Sequence, residues 1–249
     1  MAGGLGKRMR SETPKVLQLL NEKPLLYYVI LTAIEAKSDY ILIVVGKYRQ
    51  MIQETIVKYF PPTICNFIHY CDQKEIIVDG VSKVQGTGDA VKSCLPFFTT
   101  HQIPLTSKVL ILSGDVPLIK PDTIRNLLQR DNSILVTHSD NPFGCGRVLF
   151  SHDHKVIKII EEKDCSEEQR NISHINCGIY CLSVELLFLC IPLINSNNKN
   201  NEYYLTDIVQ IANEKHIPIK YHELPKIQQY EIININTPED LFLANRLFI

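Results

Sequence analysis

The sequence predicts an α/β fold, a doubly wound sheet with helices on both faces. Three observations carry that expectation. Strand-like and helix-like segments alternate through roughly the first half of the chain, the rhythm that implies right-handed strand–helix–strand crossovers. The runs at 40–45 and 109–112 are continuously apolar, the mark of strands buried on both faces of a sheet. A glycine-rich turn (Gly3, Gly4, Gly6) opens the chain, where an α/β sheet places a phosphate loop.

The elements follow in order. Residues 24–36 read as a helix with Leu25, Tyr28, Val29, Thr32 and Ala33 on one face. The strand at 40–45 leads to an amphipathic helix at 48–59 and a short strand at 65–70. A helix at 88–98 follows a glycine turn, the strand at 109–112 ends at Ser113-Gly114-Asp115, a helix covers 121–128 and a strand 133–137. The pattern then changes. Strands at 147–151 and 155–160 flank the turn Ser151-His152-Asp153-His154, a hairpin-like insertion before a strand at 176–182. Helices are expected at 185–191, 202–214 and 238–247, a strand at 217–223, and the asparagine-rich 195–201 as a loop.

Composition bounds the function. A chain of 249 residues, 45% hydrophobic, can bury the core of one large α/β domain. A formal net charge of −1 argues against nucleic acid as a partner. There is no 18-residue apolar run, so no membrane span is expected, and the polar start does not read as a secretory signal. Eight scattered cysteines without C-x-x-C point to reduced thiols and a cytoplasmic setting. The Cys177/Cys181 pair and the His152/His154 pair lack metal-site spacing partners.

Several motifs carry chemistry. After the glycine turn, Arg8 and Lys15 add two cations where polyphosphate charge would sit, and glycines let backbone N–H groups approach phosphate. The spacing is neither a P-loop nor a dinucleotide fingerprint. Gln85-Gly86-Thr87-Gly88 precedes a helix and offers amides and a hydroxyl; it reads equally as glycine turn chemistry at a helix start. Asp115 ends an apolar strand, where such sheets bind ligands and where a carboxylate holds Mg²⁺ against phosphate; it reads equally as a turn cap. Weaker signals are Gly144-Cys145-Gly146-Arg147, Glu161 in Ile160-Glu161-Glu162, Asn176 in Ile175-Asn176-Cys177-Gly178, Glu202-Tyr203-Tyr204-Leu205-Thr206 and Ile233-Asn234-Ile235-Asn236.

Taken in order, these motifs resemble the nucleotide-sugar pyrophosphorylases, and most of all the uridylyltransferase half of the bacterial bifunctional N-acetylglucosamine-1-phosphate uridylyltransferases. The resemblance runs from Met1 to near Leu247. It implies a Rossmann-like mixed sheet, the nucleotide-diphospho-sugar transferase fold, with an inserted sugar-binding β-element. It implies one nucleotidyltransferase domain over 1–249, nucleotide-binding over 1–140 and sugar-binding over 141–249. It implies UTP and N-acetylglucosamine 1-phosphate as substrates, Mg²⁺ as cofactor and a monomer or weak oligomer. By position it implies nucleoside and phosphate contacts from Ala2, Gly3 and Gly4, triphosphate cations at Arg8 and Lys15, and base- and sugar-side contacts from Gly86 and Thr87. The metal pair is Asp115 and Asn236, and the sugar set is Gly146, Glu161, Asn176 and Thr206.

The departures matter too. Val81 stands where the family reads uracil with glutamine, with Gln73 and Gln85 as possible substitutes; Ser113 and Cys145 replace aromatic residues. No hexapeptide repeat is present, so acetyl transfer and the trimer of the bifunctional enzymes are not expected. The short strand that precedes the phosphate loop in the family is missing. The expectation is a start upstream of Met1, or a fold that tolerates the gap. The competing readings are another sugar-1-phosphate or cytidylyl nucleotidyltransferase, and a catalytically inactive binding or regulatory homologue.

Overall fold

The computed structural model describes residues 1–4, 7–9, 11–78 and 81–247; the side chains of Lys7, Val78 and 81–84 also lie outside the description, and with them Gly6 and the Val81 side chain. The chain divides into two compact units. The first comprises Met1–Val84, Leu112–Ile124 and Tyr230–Ile249, the second Gln85–Ile111 and Arg125–Gln229.

In the first unit the apolar run forms the strand Ile41–Val45, which pairs in parallel with Ile68–Asp72. The helix Arg49–Tyr59 connects them and buries Ile52 and Ile56, four residues apart on one face. These join Leu26, Ile30, Ile43, Val45 and Ile68 in one core. The helix Leu25–Glu35 buries Leu25, Leu26, Val29, Ile30 and Thr32, so its inner stripe is rotated away from the expected Tyr28 and Ala33. The strand expected from residue 65 starts only at Ile68, because the turn Pro62–Cys65 is helical; proline pre-sets φ for a first helical position. The antiparallel pair Glu75–Val78 with Val81–Val84 was not legible in the sequence. The helix Pro238–Leu247 lies where expected and packs Ala244 with Leu20, Leu25 and Ile235.

Met1 and Ala2 lie between two segments of the first unit. The Met1 ammonium donates to the Leu112 carbonyl at 2.7 Å, the Gly114 N–H donates to the Met1 carbonyl at 2.9 Å, and the Ala2 N–H donates to the Val44 carbonyl at 2.8 Å. Met1 and Ala2 thus satisfy backbone groups on both sides, as a strand would. A β-carbon on Gly114 would lie 2.8 Å from the Met1 carbonyl oxygen, so this close approach requires glycine.

The second unit is built on a six-stranded mixed sheet. Its path runs Val156–Ile160, Arg147–Phe150, His174–Ser183, Ser133–His138, Lys220–Leu224, and Lys108–Ile111 also pairs with His174–Ser183. His174–Ser183 is antiparallel to each of its neighbours, while Lys220–Leu224 runs parallel to Ser133–His138. The apolar run near 109 therefore pairs antiparallel. Apolar continuity reports burial on two faces and carries no information on strand direction. The inserted hairpin is present as Arg147–Phe150 with Val156–Ile160.

Two helices differ from expectation. The stretch 88–98 forms two short helices, Thr87–Lys92 and Leu95–Thr100, the second carrying Pro96 in its first turn, where a missing N–H is harmless. The helix expected from 202 begins at Asp207. The preceding segment pairs with distant backbone instead: Tyr203 N–H donates to the Gln85 carbonyl, and the Tyr203 carbonyl accepts from Gly88 N–H, both at 2.7 Å. Among the described residues no helix is long and apolar enough to cross a membrane.

Candidate active site

In the first unit four of the expected residues meet. Lys15 heads a short helical turn whose Val16 and Leu17 are buried. Its Nζ donates to Asp115 Oδ2 and, at 2.8 Å, to Asn236 Oδ1. Arg8, which is exposed, donates to the same Asn236 oxygen at 3.0 Å. The Lys15 and Asp115 side chains are each only 15% exposed. Backbone pairing explains the convergence: the Ile235 N–H donates to the Asp115 carbonyl at 2.9 Å. Asp240 Oδ2 accepts from the N–H groups of Asn236 and Thr237, capping the helix Pro238–Leu247 and fixing the chain at Asn236. Asn234, absent from the residues that the motifs single out, also reaches Asp115 with its carboxamide at 3.0 Å from both carboxylate oxygens, oriented so that its NH₂ donates. The signal was available in Ile233-Asn234-Ile235-Asn236: alternation puts both asparagines on one side and Ile235, fully buried, on the other.

The glycine turn borders this cluster in sequence. Ala2 is buried, a β-carbon on Gly3 would lie 3.1 Å from Gln73 Oε1, and one on Gly4 would meet nothing within 4 Å. Two cations and two hard oxygen acceptors at one point suit a polyphosphate with a divalent ion.

The second unit gathers the other set. The His174–Ser183 strand carries a register shift between Asn176 and Tyr180, with Gly178 at φ +71°. Bulges of this kind re-aim side chains next to sites. Here Asn176 Oδ1 accepts from the Gly178 N–H at 3.1 Å and its Nδ2 donates to the Tyr180 hydroxyl at 2.7 Å. The Asn176 N–H donates to the Gly146 carbonyl at 2.9 Å. A β-carbon on Gly146 would lie 3.7 Å from both Asn176 Cβ and Glu161 Oε1. Thr206 Oγ1 donates to Glu161 Oε1 at 3.0 Å. Gly146, Glu161, Asn176 and Thr206 are thus one cluster.

Burial pushes the Glu161 carboxyl above the usual range; the Thr206 hydrogen bond opposes this, and Asp207, Asp164 and Glu202 add to it. The Tyr180 hydroxyl is likewise pushed up by burial. Arg147, with its side chain 1% exposed, holds the Gly144–Gly146 turn: it donates to the Cys145 carbonyl and, at 2.7 Å, to Glu162 Oε2, which also accepts from the Gly144 N–H. Gly86 and Thr87 lie in the same unit. Gly86 has φ +103°, and a β-carbon there would lie 2.5 Å from the Tyr203 carbonyl oxygen. The Thr87 hydroxyl accepts from the Leu205 N–H at 3.0 Å. This motif therefore shapes the segment leading to Thr206.

The chain matches the MobA-like NTP transferase domain over residues 1–174. It is 40% identical over 248 residues to a probable UDP-N-acetylglucosamine pyrophosphorylase of Acanthamoeba polyphaga mimivirus, covering 97% of this chain and 91% of that protein. It is 33% identical over 252 residues to the bifunctional protein GlmU of Geobacter metallireducens, covering 99% of this chain and 49% of that one, so it spans about half of that relative. Its fold is shared with UDP-glucose pyrophosphorylase complexed with UDP-glucose, at a TM-score of 0.73 and 15% identity, covering 99% and 96% of the two chains.

Proposed function

Because the chain belongs to the MobA-like NTP transferase family, we propose that it makes UDP-N-acetylglucosamine and pyrophosphate from UTP and N-acetylglucosamine 1-phosphate. The observation that carries this reading is the convergence of Lys15, Arg8, Asp115 and Asn236 on one point. A phosphate oxygen of the sugar 1-phosphate forms a bond to the α-phosphorus of UTP. The bond from that phosphorus to the bridging oxygen breaks, and pyrophosphate leaves with the electron pair. The nucleophile is already an anion, so no general base is required. What the protein must supply is positioning and relief of anion–anion repulsion.

Arg8 and Lys15 supply that relief at the phosphates in this reading, and Ala2, Gly3, Gly4, Gly86 and Thr87 contact the nucleotide. Gly146, Glu161, Asn176 and Thr206 contact the amino sugar. Mg²⁺ fits Asp115 and Asn236: their oxygens already share one cation, and a single carboxylate with an amide suits an ion that completes its shell with water and phosphate. Bound there, it neutralises triphosphate charge. Residues 1–249 act as one nucleotidyltransferase domain, as a monomer or weak oligomer in the cytoplasm.

The test is pyrophosphate release from UTP, CTP, dTTP or GTP paired with N-acetylglucosamine 1-phosphate or glucose 1-phosphate. UTP with the N-acetylated sugar should be fastest, since a buried carboxylate or amide left unpaired by the wrong sugar discriminates strongly. A preference for glucose 1-phosphate or another nucleotide overturns the substrate assignment. No release with any pair overturns the reaction class.

A further inference from the structure

We propose that Asn234 is a positioning residue for the Asp115 carboxylate, keeping it aimed at the cation position that Asp115 and Asn236 share. The inference rests on the metal assignment above. The Asn234 NH₂ nitrogen lies 3.0 Å from both Asp115 oxygens, so its donor is shared across the carboxylate. Each carboxylate oxygen keeps a further lone pair for a cation. The backbone holds the two residues in register, since Ile235 N–H donates to the Asp115 carbonyl. Ile235 is buried among Leu20, Leu25 and Ala244, which anchors the residue between the two asparagines. Asn234 itself is exposed, so apolar packing does not account for its placement.

The need for a second donor follows from Lys15. In this structure the Lys15 ammonium occupies Asp115 Oδ2 and Asn236 Oδ1. A triphosphate draws that ammonium toward itself, and Asp115 then loses its charged partner. Asn234 is neutral and has no phosphate to follow, so it would stay on the carboxylate with a divalent ion in the place of the ammonium. Groups that hydrogen-bond a metal-ligating carboxylate typically change metal affinity by ~10–100-fold when removed.

The experiment is a titration of the protein with Mn²⁺ in the presence of UTP, followed by electron paramagnetic resonance of the protein-bound ion, for the wild type, Asn234→Ala, Asn234→Leu and Asp115→Asn, with thermal midpoints recorded for each. Asn234→Leu keeps the side-chain bulk and removes the donors. The expected result is a Mn²⁺ dissociation constant raised ~10-fold or more in both Asn234 variants, with midpoints near wild type. Wild-type affinity in Asn234→Leu means that bulk alone matters and overturns the proposal, as does wild-type affinity in both variants. If Asp115→Asn binds Mn²⁺ as the wild type does, or the wild type binds none, the metal assignment falls and this inference with it. If Asp115→Asn loses the ion and the Asn234 variants do not, only this inference falls.

Discussion

Around Asp115, two cationic side chains meet one carboxylate and two carboxamides, which leaves the cluster with an excess of positive charge. Around Glu161, a partly buried carboxylate meets a threonine hydroxyl and has Asp207, Asp164 and Glu202 nearby, so its charge is left under pressure. The first cluster is organised for a highly charged ligand, which supplies its own binding energy once cations are in place. The second is organised for a neutral ring of hydroxyls and an amide, where hydrogen-bond geometry must do the selecting. The two therefore fail differently. Loss of a cation beside Asp115 affects chemistry more than folding. Loss of a group in the Glu161 region affects folding as much as recognition, because the same residues shape the bulge and the Gly144–Gly146 turn.

Arg147 gives the strongest test of that difference. Arg147→Ala removes a buried guanidinium that holds Glu162 and the Cys145 carbonyl. Breaking a buried pair costs about 3–5 kcal/mol, so urea unfolding should show a loss of that order. A loss within experimental error would make the second unit as tolerant as the first. Arg8→Ala is the converse. Arg8 is exposed and bonded only to Asn236 in the described contacts, so the unfolding midpoint should hold while pyrophosphate release slows ~10²–10³-fold. Near-wild-type turnover would remove Arg8 from the phosphate cluster.

Gly86→Ala should fall between these. Its φ of +103° and the 2.5 Å approach of the Tyr203 carbonyl to a β-carbon make any side chain strained. A destabilisation of ~1–3 kcal/mol is expected. Because Gly86 contacts the nucleotide in the proposed reading and Tyr203 leads to Thr206, KM should rise for both UTP and the sugar phosphate. A KM for UTP that stays at the wild-type value would separate the Gly86 turn from nucleotide binding.

Glu161→Gln carries the smallest effect and sharpens the electrostatic contrast. A carboxyl raised in the folded state binds its proton more tightly there than in the unfolded chain. Folding stability attributable to it therefore falls as pH rises from the unfolded carboxyl range through the folded value, and ionisation is a standing penalty above that. Glutamine has no such penalty. Thermal melts should show Glu161→Gln more stable than wild type at pH 7–8, with the gap closing near pH 4, while sugar binding weakens. A pH-independent difference would mean that Glu161 is not under electrostatic pressure.

Much of the fold was readable from local pattern. The helix at 121–128, the helix at 238–247, the inserted hairpin and the parallel strand at 41–45 all follow from periodicity and turn residues. Each is set by burial or by φ preferences acting over a few residues. The candidate site residues were readable as residue types at motif spacing; the structure brings Arg8, Lys15, Asp115 and Asn236 together in the first unit and Gly146, Glu161, Asn176 and Thr206 together in the second.

What local pattern could not supply were outcomes decided by competition between distant backbone groups. Residues 202–206 have helical composition, yet Tyr203 and Leu205 find partners at Gln85, Thr87 and Gly88, and the helix waits until Asp207. The strand Lys108–Ile111 is apolar enough for a parallel sheet, yet its neighbour His174–Ser183 runs the other way. Asn234 joins Asp115 only because Ile235 is drawn into the core beside Leu20 and Ala244. The amino-acid sequence by itself determined which residues are apolar, which turns are possible and which groups carry charge. Tertiary structure alone decided which distant groups satisfy one another, because a buried N–H or carboxylate takes whichever partner the packed chain brings within about 3 Å.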